Sequence, residues 1–330
     1  YEIAQCLVGS EMCIRDSHSF MEVNPVLIKE YKKSTTLRRT KTDSVDCESI
    51  ARWLITVEYK PHSKGFYHAY SLKSLTRLRD RLIRQRSFYL VKITNVLDHT
   101  FPEFKPFFNE RLSKTALYLL ENYGSAEKMA RMNSASYDKL RCISRGKFSI
   151  QQFLRLKELA ANTVGVNNSI FDLELNTLLT LYKSLSDEIN TLETEIIKLI
   201  EEVHPHYMSI PGIGPISSAV IYAEYGDISN FSNPGQMLAF AGIEPGINDS
   251  GTESHGGRMV KHGSSQLRYV LLNACLPLIR FDLTFATYYE KKRAEGKKHR
   301  VAITHVAKKL IRVIYALERQ DVDFNAQKLR

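Results

Sequence analysis

Ser250 stands between Asp249 and Gly251 in the stretch GINDSGTESHGG, residues 246 to 257. That stretch is too polar and glycine-rich for a core, so the expectation is a polar loop with an accessible hydroxyl. A serine becomes a nucleophile only with a base, a metal or a positive field beside it. His255 is five residues on, and Lys261 and Arg268 follow. Cations beside a scissile phosphate offset the charge that builds during transfer. The same residues also read as a turn serine, a loop histidine and a solvated helix face. A second candidate lies far upstream. Asp43 and Asp46 are three apart at the start of a helical segment, where both carboxylates can share one face. Hard oxygen ligands so arranged suit Mg²⁺. The D-x-x-D pattern is equally a helix-start pattern, with Asp43 at or near the cap and Asp46 favourable to the dipole. From the residues alone both readings stand.

The elements that position these groups are mostly helices. MSIPGIGPISSAVIYAEYG, residues 208 to 226, places Pro211, Gly212, Ile213, Gly214 and Pro215 between apolar runs. Glycines permit the turn, and Pro215 suits a first helical turn. Backbone N–H groups at such a helix start favour an anion such as a phosphate. A helix-hairpin-helix and a plain turn between core helices both fit. KHGSSQLRYVLL, from Lys261, opens the next helix.

Between the two candidate sites, Leu175, Leu178, Tyr182, Leu185, Ile189, Leu192, Ile196, Leu199 and Val203 alternate steps of three and four, the a/d spacing of a coiled coil. The seam is narrow and flanked by polar residues, which predicts an arm that pairs two subunits or folds against a partner helix. Leu72 to Leu97 reads as another long helix, with Lys73, Arg77, Arg81 and Arg84 along one side as candidate nucleic-acid contacts. FPEFKPFF, residues 101 to 108, reads as an aromatic helix junction. Residues 113 to 168 give helical patterns broken near Gly124 and at SRGKFS. Val301, Ile303, Val306, Leu310, Ile314 and Leu317 form the expected buried stripe of a last amphipathic helix. Lys291 to Arg300, just before it, form a basic segment suited to backbone phosphate.

The formal net charge is +10. Residues 1 to 17 hold one arginine against Glu2, Glu11 and Asp16, so the remainder carries +12. That balance favours a polyanion. No apolar run is long enough to span a bilayer and no secretory signal is present. Of the five cysteines, Cys47, Cys142 and Cys275 lie outside residues 1 to 17, widely separated. They argue against a disulfide framework or a zinc site and suit a reducing cytoplasm. Residues 6 to 17, CLVGSEMCIRDS, match the translation of a sequencing-library adaptor and are set aside as an artefact.

Gly242 to Pro245 (G-I-x-P), Ser250-Gly251, Lys261-x-Gly263 and Leu267-Arg268 resemble the C-terminal domain of the insertion-sequence 110 (IS-110 / IS-116 / IS-902) transposase family. RRTKTDSVDCESIARWL, residues 38 to 54, resembles the K-T-D-x-x-D-A segment that closes that family's RuvC-like nuclease domain, with Cys47 where alanine is usual. The resemblance runs from about residue 18 to 318. It implies a mainly α chain with a partial α/β remnant: a truncated RuvC-like (RNase H-like) piece at 18–68 in which FMEVNPVLI is a late strand, a helical linker and coiled coil at 69–205, and a helical transposase domain with a helix-hairpin-helix at 206–330.

The resemblance further implies a prokaryotic, DNA-associated recombinase in which Ser250 forms a covalent phosphoserine. Asp43 and Asp46 would be half of a Mg²⁺ site completed by an upstream Asp and Glu that this sequence lacks, so the truncated chain is expected to be impaired. DNA, a structured bridge RNA and a homodimer or higher homo-oligomer through the coiled coil are the implied partners. Gly212, Gly214, Lys261 and Arg268 join the arginine stripe as the expected nucleic-acid contacts. Two other classes fit the residues: a metal-only RuvC-like nuclease or resolvase with Ser250 a bystander, and a non-catalytic DNA-binding dimer.

Overall fold

The computed structural model describes residues 25–36, 42–57, 66–109, 112–250 and 253–329. Helices α1 (Pro25–Thr35) and α2 (Asp43–Thr56) come first. The long α3 (Phe66–Thr100) leads into the short α4 (Phe104–Phe107), then α5 (Lys114–Tyr123), α6 (Ala126–Ala130), α7 (Ser134–Ile143) and α8 (Ile150–Ala161). A second long helix, α9 (Ser169–Val203), precedes a 3₁₀ turn at His206–Ser209, α10 (Pro215–Tyr225) and α11 (Pro234–Ala241). The hairpin β1 (Pro245–Ser250) and β2 (Glu253–Met259) is followed by α12 (Ser265–Phe281), α13 (Leu283–Ala294) and α14 (His299–Gln320). The described chain is therefore mainly helical. No single described helix is long and apolar enough to cross a membrane.

Helices α3 and α9, each 35 residues, form an antiparallel pair. Leu72 packs with Ile196 and Ile200, Arg79 Nε donates to Glu193 Oε1 at 2.7 Å, and His99 stacks on Phe171. The seam expected from spacing is thus met by a helix of the same chain. It also rotates. Leu175, Ile189 and Ile196 are buried as expected, but Leu179 and Ile200 are the other buried positions, while Val203 is exposed. A continuous α-helix drifts against a strict 3.5 repeat, which moves the buried line by a residue over several turns.

Between the long helices, α4 to α8 close over Phe101, Phe104, Leu119, Leu120, Met129, Leu140 and Leu156. The starts of α5 to α9 are each fixed by a short polar residue. Ser113, Ser125, Asn133, Ser149 and Asn168 accept from first-turn N–H groups, and Ser149 with Gln152 makes a full capping box. Phe107 and Phe108 pack against Phe148, so the FPEFKPFF segment is a helix junction as expected.

A separate core holds the C-terminal part. Tyr207, Ile210 and Ile213 pack with Leu267, Leu271 and Leu278 of α12, Phe285 of α13, and Val306, Leu310 and Ile314 of α14. Val301 does not join the α14 stripe: it is 45 % exposed in the first turn, and Ala302, Ala307 and Ile311 fill the interior. Cys275 is buried here, which pushes its thiol up to about 12, whereas Cys47 and Cys142 are exposed; all three are free.

Two expectations are corrected. FMEVNPVLI is not a strand over its described part, because Pro25 opens α1 and Val26 to Ile28 are helical. Proline at the first helical position leaves no donor unused, and the following KEYKKST continues as helix. Accordingly the described residues between 25 and 57 contain helices and no strand. The polar stretch around Ser250 is not a loop but the two-stranded hairpin. Residues 6 to 17 and 18 to 24 lie outside the described residues.

Candidate functional site

Ser250 ends β1, and its Cα pairs with Glu253 at the start of β2. The register continues through Asp249 with Ser254, Asn248 with His255 and Ile247 with Gly256, then shifts between Ile247 and Pro245, which pairs with Met259. A shift of this kind twists a ribbon and re-aims its far end. The serine is therefore carried at the distal end of a two-stranded arm.

The root of that arm is built from the motif residues. Helix α11 ends at Gly242 in the left-handed region, φ 65°. A Cβ on Gly242 would come within 2.7 Å of Arg268 Nη1 and 2.8 Å of the Gly263 nitrogen; one on Gly263 would lie 2.0 Å from the Phe240 oxygen. Only glycine allows the two strands' flanks to approach this closely. Val260 N donates to Glu244 O at 2.8 Å, and Ser264 N to Phe240 O at 3.1 Å. Arg268, in the first turns of α12, donates from Nη1 to Ala241 O at 3.2 Å, a cation on the negative end of α11. Ser264 caps α12 by accepting from Leu267 N. Lys261 is exposed at the root with no partner among the described residues.

The glycine-proline turn is exposed at Gly212 and Gly214 and anchored by buried Ile213. Gly212 has φ +96°, and a Cβ there would strike Pro277 Cγ at 2.7 Å, so α12 packs directly on this turn at its internal proline. Gly214 is the N-cap of α10 with Pro215 at the first position. It lends no side-chain acceptor, which leaves first-turn N–H groups of α10 open.

Asp43 and Asp46 occupy the first turn of α2, but the cap is Thr42, whose Oγ1 accepts from Val45 N. Asp43 is exposed. Asp46 Oδ1 is held by Lys32 Nζ of α1 at 2.5 Å. No cluster of three or more His, Cys, Asp or Glu side chains that would hold a metal exists among the described residues. Both carboxylates are hard oxygen donors of the kind a divalent ion takes, and Lys32 occupies that of Asp46.

The arginine stripe of α3 does more than face solvent. Arg77 makes a two-pronged contact with Glu224 of α10, Nε to Oε1 at 3.0 Å and Nη2 to Oε2 at 3.2 Å, and Lys73 stands 3.9 Å from the same carboxylate. The Glu224 side chain is 2 % exposed. Arg84 pairs with Asp80 at 2.7 Å, whereas Arg81 is exposed and has no partner among the described residues. Glu224 was not singled out from sequence. Its signal was a lone charge in the otherwise apolar run ISSAVIYAEY.

Residues 205–290 match the profile described as the Transposase IS116/IS110/IS902 family, and residues 12–102 match a second transposase profile of the IS110 group. A protein of insertion element IS110 from Streptomyces coelicolor is 27 % identical over 72 % of this chain and 60 % of its own length. The transposase of insertion element IS1111A from Coxiella burnetii is 25 % identical over 78 % of this chain and 59 % of its own. A pilin gene-inverting protein from Moraxella bovis is 27 % identical over 42 % of this chain and 46 % of its own. The chain thus spans about three-fifths of the length of the first two relatives. The first profile spans Ser250, Lys261 and Arg268 and the second spans Asp43 and Asp46, and the chain belongs to the IS116/IS110/IS902 family of transposases.

Proposed function

We propose that this protein cleaves and rejoins DNA for an insertion sequence, with Ser250 as the nucleophile. The observation that carries the reading is Ser250 at the end of a hairpin whose root is fixed by Gly242, Gly263 and Arg268, the residues of the family motif. In this chemistry the Ser250 Oγ bonds to phosphorus and loses its proton, one bridging P–O bond breaks, and the departing sugar oxygen takes up a proton. The phosphoserine keeps the phosphodiester's energy, and a second sugar hydroxyl reverses the step. The names of relatives, a transposase and a gene-inverting protein, support rearrangement over simple hydrolysis.

Asp43 and Asp46 would hold a divalent ion, taken to be Mg²⁺, in a RuvC-like site. Such an ion offsets charge on a scissile phosphate. DNA contact falls to Lys261 at the hairpin root, to the open N–H groups behind Gly212 and Gly214, and to the α3 cations Arg77, Arg81 and Arg84. In a helix-hairpin-helix reading, the first arm is the single 3₁₀ turn at His206–Ser209. The α3–α9 pair is the arm through which two copies meet, a reading supported by exposed Phe88, Val91, Ile170 and Leu173 on its surface. Guidance by a structured RNA is part of the proposal on the family resemblance alone. The domains of this reading are a RuvC-like part at 18–68, a helical arm at 69–205 and a serine-bearing part at 206–330.

Incubation with element-end DNA, denaturation and electrophoresis tests the reading. A protein–DNA adduct that survives denaturant and vanishes in Ser250→Ala is the expected result. Cleavage retained in Ser250→Ala would leave a metal-only nuclease, and DNA binding without adduct or cleavage a non-catalytic dimer.

A further inference from the structure

The α3 cations do not end on open surface. Lys73, Arg77, Arg81 and Arg84 line one wall of a groove of about 700 Å³, and Ser264, Ser265 and Gln266 at the start of α12 line the other. Positions 73, 77, 81 and 84 lie along one helix face over roughly 16 Å at 1.5 Å rise per residue. That length matches roughly five phosphates at the 3.4 Å axial spacing of one strand.

Two carboxylates temper the four cations, and each does so unequally. Glu224 lies beneath the wall and takes only Nε and Nη2 of Arg77, so the guanidinium is pinned with Nη1 unengaged and its side chain 50 % exposed. A guanidinium fixed in advance loses less freedom when it meets a phosphate. Asp80 lies in the groove itself, neutralising Arg84 and accepting from Gln266 Nε2 at 3.2 Å. Arg81 is the cation whose charge no described carboxylate offsets. Across the groove, Ser264 caps Leu267 N of α12, and the positive end of the helix dipole adds potential. Gln266 faces the groove through its Nε2, which holds Asp80.

We infer that the α3–α12 groove binds the phosphodiester backbone of one nucleic-acid strand, with Arg81 as the principal contact and Glu224 as a positioning residue that orients Arg77. The inference rests on the nucleic-acid reading above but not on the chemistry of Ser250. Backbone contact of this type carries affinity and register and reads no sequence. Asp80 sets the groove's affinity by holding Arg84 away from the strand.

Fluorescence anisotropy with the full chain and 20-nucleotide single-stranded DNA or RNA of one sequence, across a salt series, tests this. Arg81→Ala is expected to weaken binding several-fold, equally for unrelated sequences, and to reduce the slope of log K against log salt by about 1. Asp80→Asn is expected to tighten binding. Arg155→Ala, which removes an exposed cation on α8, is expected to change neither. Unaltered affinity and slope in Arg81→Ala, or weakened binding in Asp80→Asn with an unchanged melting profile, would overturn the inference. The DNA and RNA arms tell which strand the groove prefers. Ser250→Ala keeps this binding while losing any adduct, so failure of the groove and failure of the serine reading give different patterns.

Discussion

Gly242 and Arg268 share one space: a methyl group on the glycine would occupy the position from which Nη1 reaches the Ala241 carbonyl. The contact joins the end of α11 to the start of α12 and so fixes the root of the Ser250 hairpin. Gly242→Ala meets two obstacles, a φ of 65° and the displaced guanidinium. The first alone costs about 1–2 kcal/mol. Denaturant unfolding is expected to show at least that loss, and adduct formation to fall far more than in a stability-matched control elsewhere. Equal losses in the two proteins would mean that the root does not position Ser250.

Arg77 and Glu224 are 147 positions apart and tie α3 to α10. Removing Arg77 leaves a carboxylate buried without its strongest partner, with Lys73 still 3.9 Å away. The half-exposed arginine discounts the cost, and Arg77→Ala is expected to lose about 1–3 kcal/mol in urea unfolding. Arg77→Met with Glu224→Met is expected to be milder than Arg77→Ala, because no charge is then stranded. A double variant less stable than Arg77→Ala would assign the pair a net stabilising role of its own.

What composition and period could specify, they specified. The stripe Ile303, Val306, Leu310, Ile314 and Leu317 is buried on α14 because one helical face meets one core. Leu175, Ile189 and Ile196 told of a seam but not of its partner, since spacing within a helix carries no information on what lies opposite. The bond between Arg77 and Glu224 has no local signature. Around Ser250 the polar, glycine-rich residues hide a hairpin, because strand recognition leans on alternating apolar side chains that this ribbon lacks. Val26 to Ile28 mislead in the opposite sense: three apolar residues after a proline fit a strand, and only the helix-forming continuation decides between them.

Lys32 and Asp46 are in direct contact at 2.5 Å, between α1 and α2. If Asp43 and Asp46 hold a divalent ion, Lys32 competes with it for one oxygen and opposes its charge. Lys32→Met is then expected to raise Mn²⁺ affinity several-fold in calorimetric titration, and Asp46→Asn to abolish the gain. Binding that is indifferent to both substitutions would place the ion elsewhere and leave Lys32–Asp46 as a brace between α1 and α2.

His206 closes the C-terminal end of the fold. Its Nδ1 lies 2.9 Å from Asp323 Oδ1 and its Nε2 2.9 Å from Asp321 Oδ1, where only the doubly protonated ring can donate to both. The contact with Asp323, then that with Asp321, raises its pKa above the usual 6.5, against a smaller opposing effect of burial; Glu318 adds to the rise. A base whose folded pKa is raised contributes stability that is complete below its unfolded pKa and fades as pH climbs through the folded value. The window therefore opens near 6.5 and extends upward. Glu318, whose carboxyl burial raises from 4.5, works at lower pH, where stability falls as it ionises. The melting temperature is thus expected to decline from pH 6 to pH 8. Asp321→Asn with Asp323→Asn should flatten that decline and lower stability mainly on the acid side. A decline of unchanged size in the double variant would shift the titration to another group.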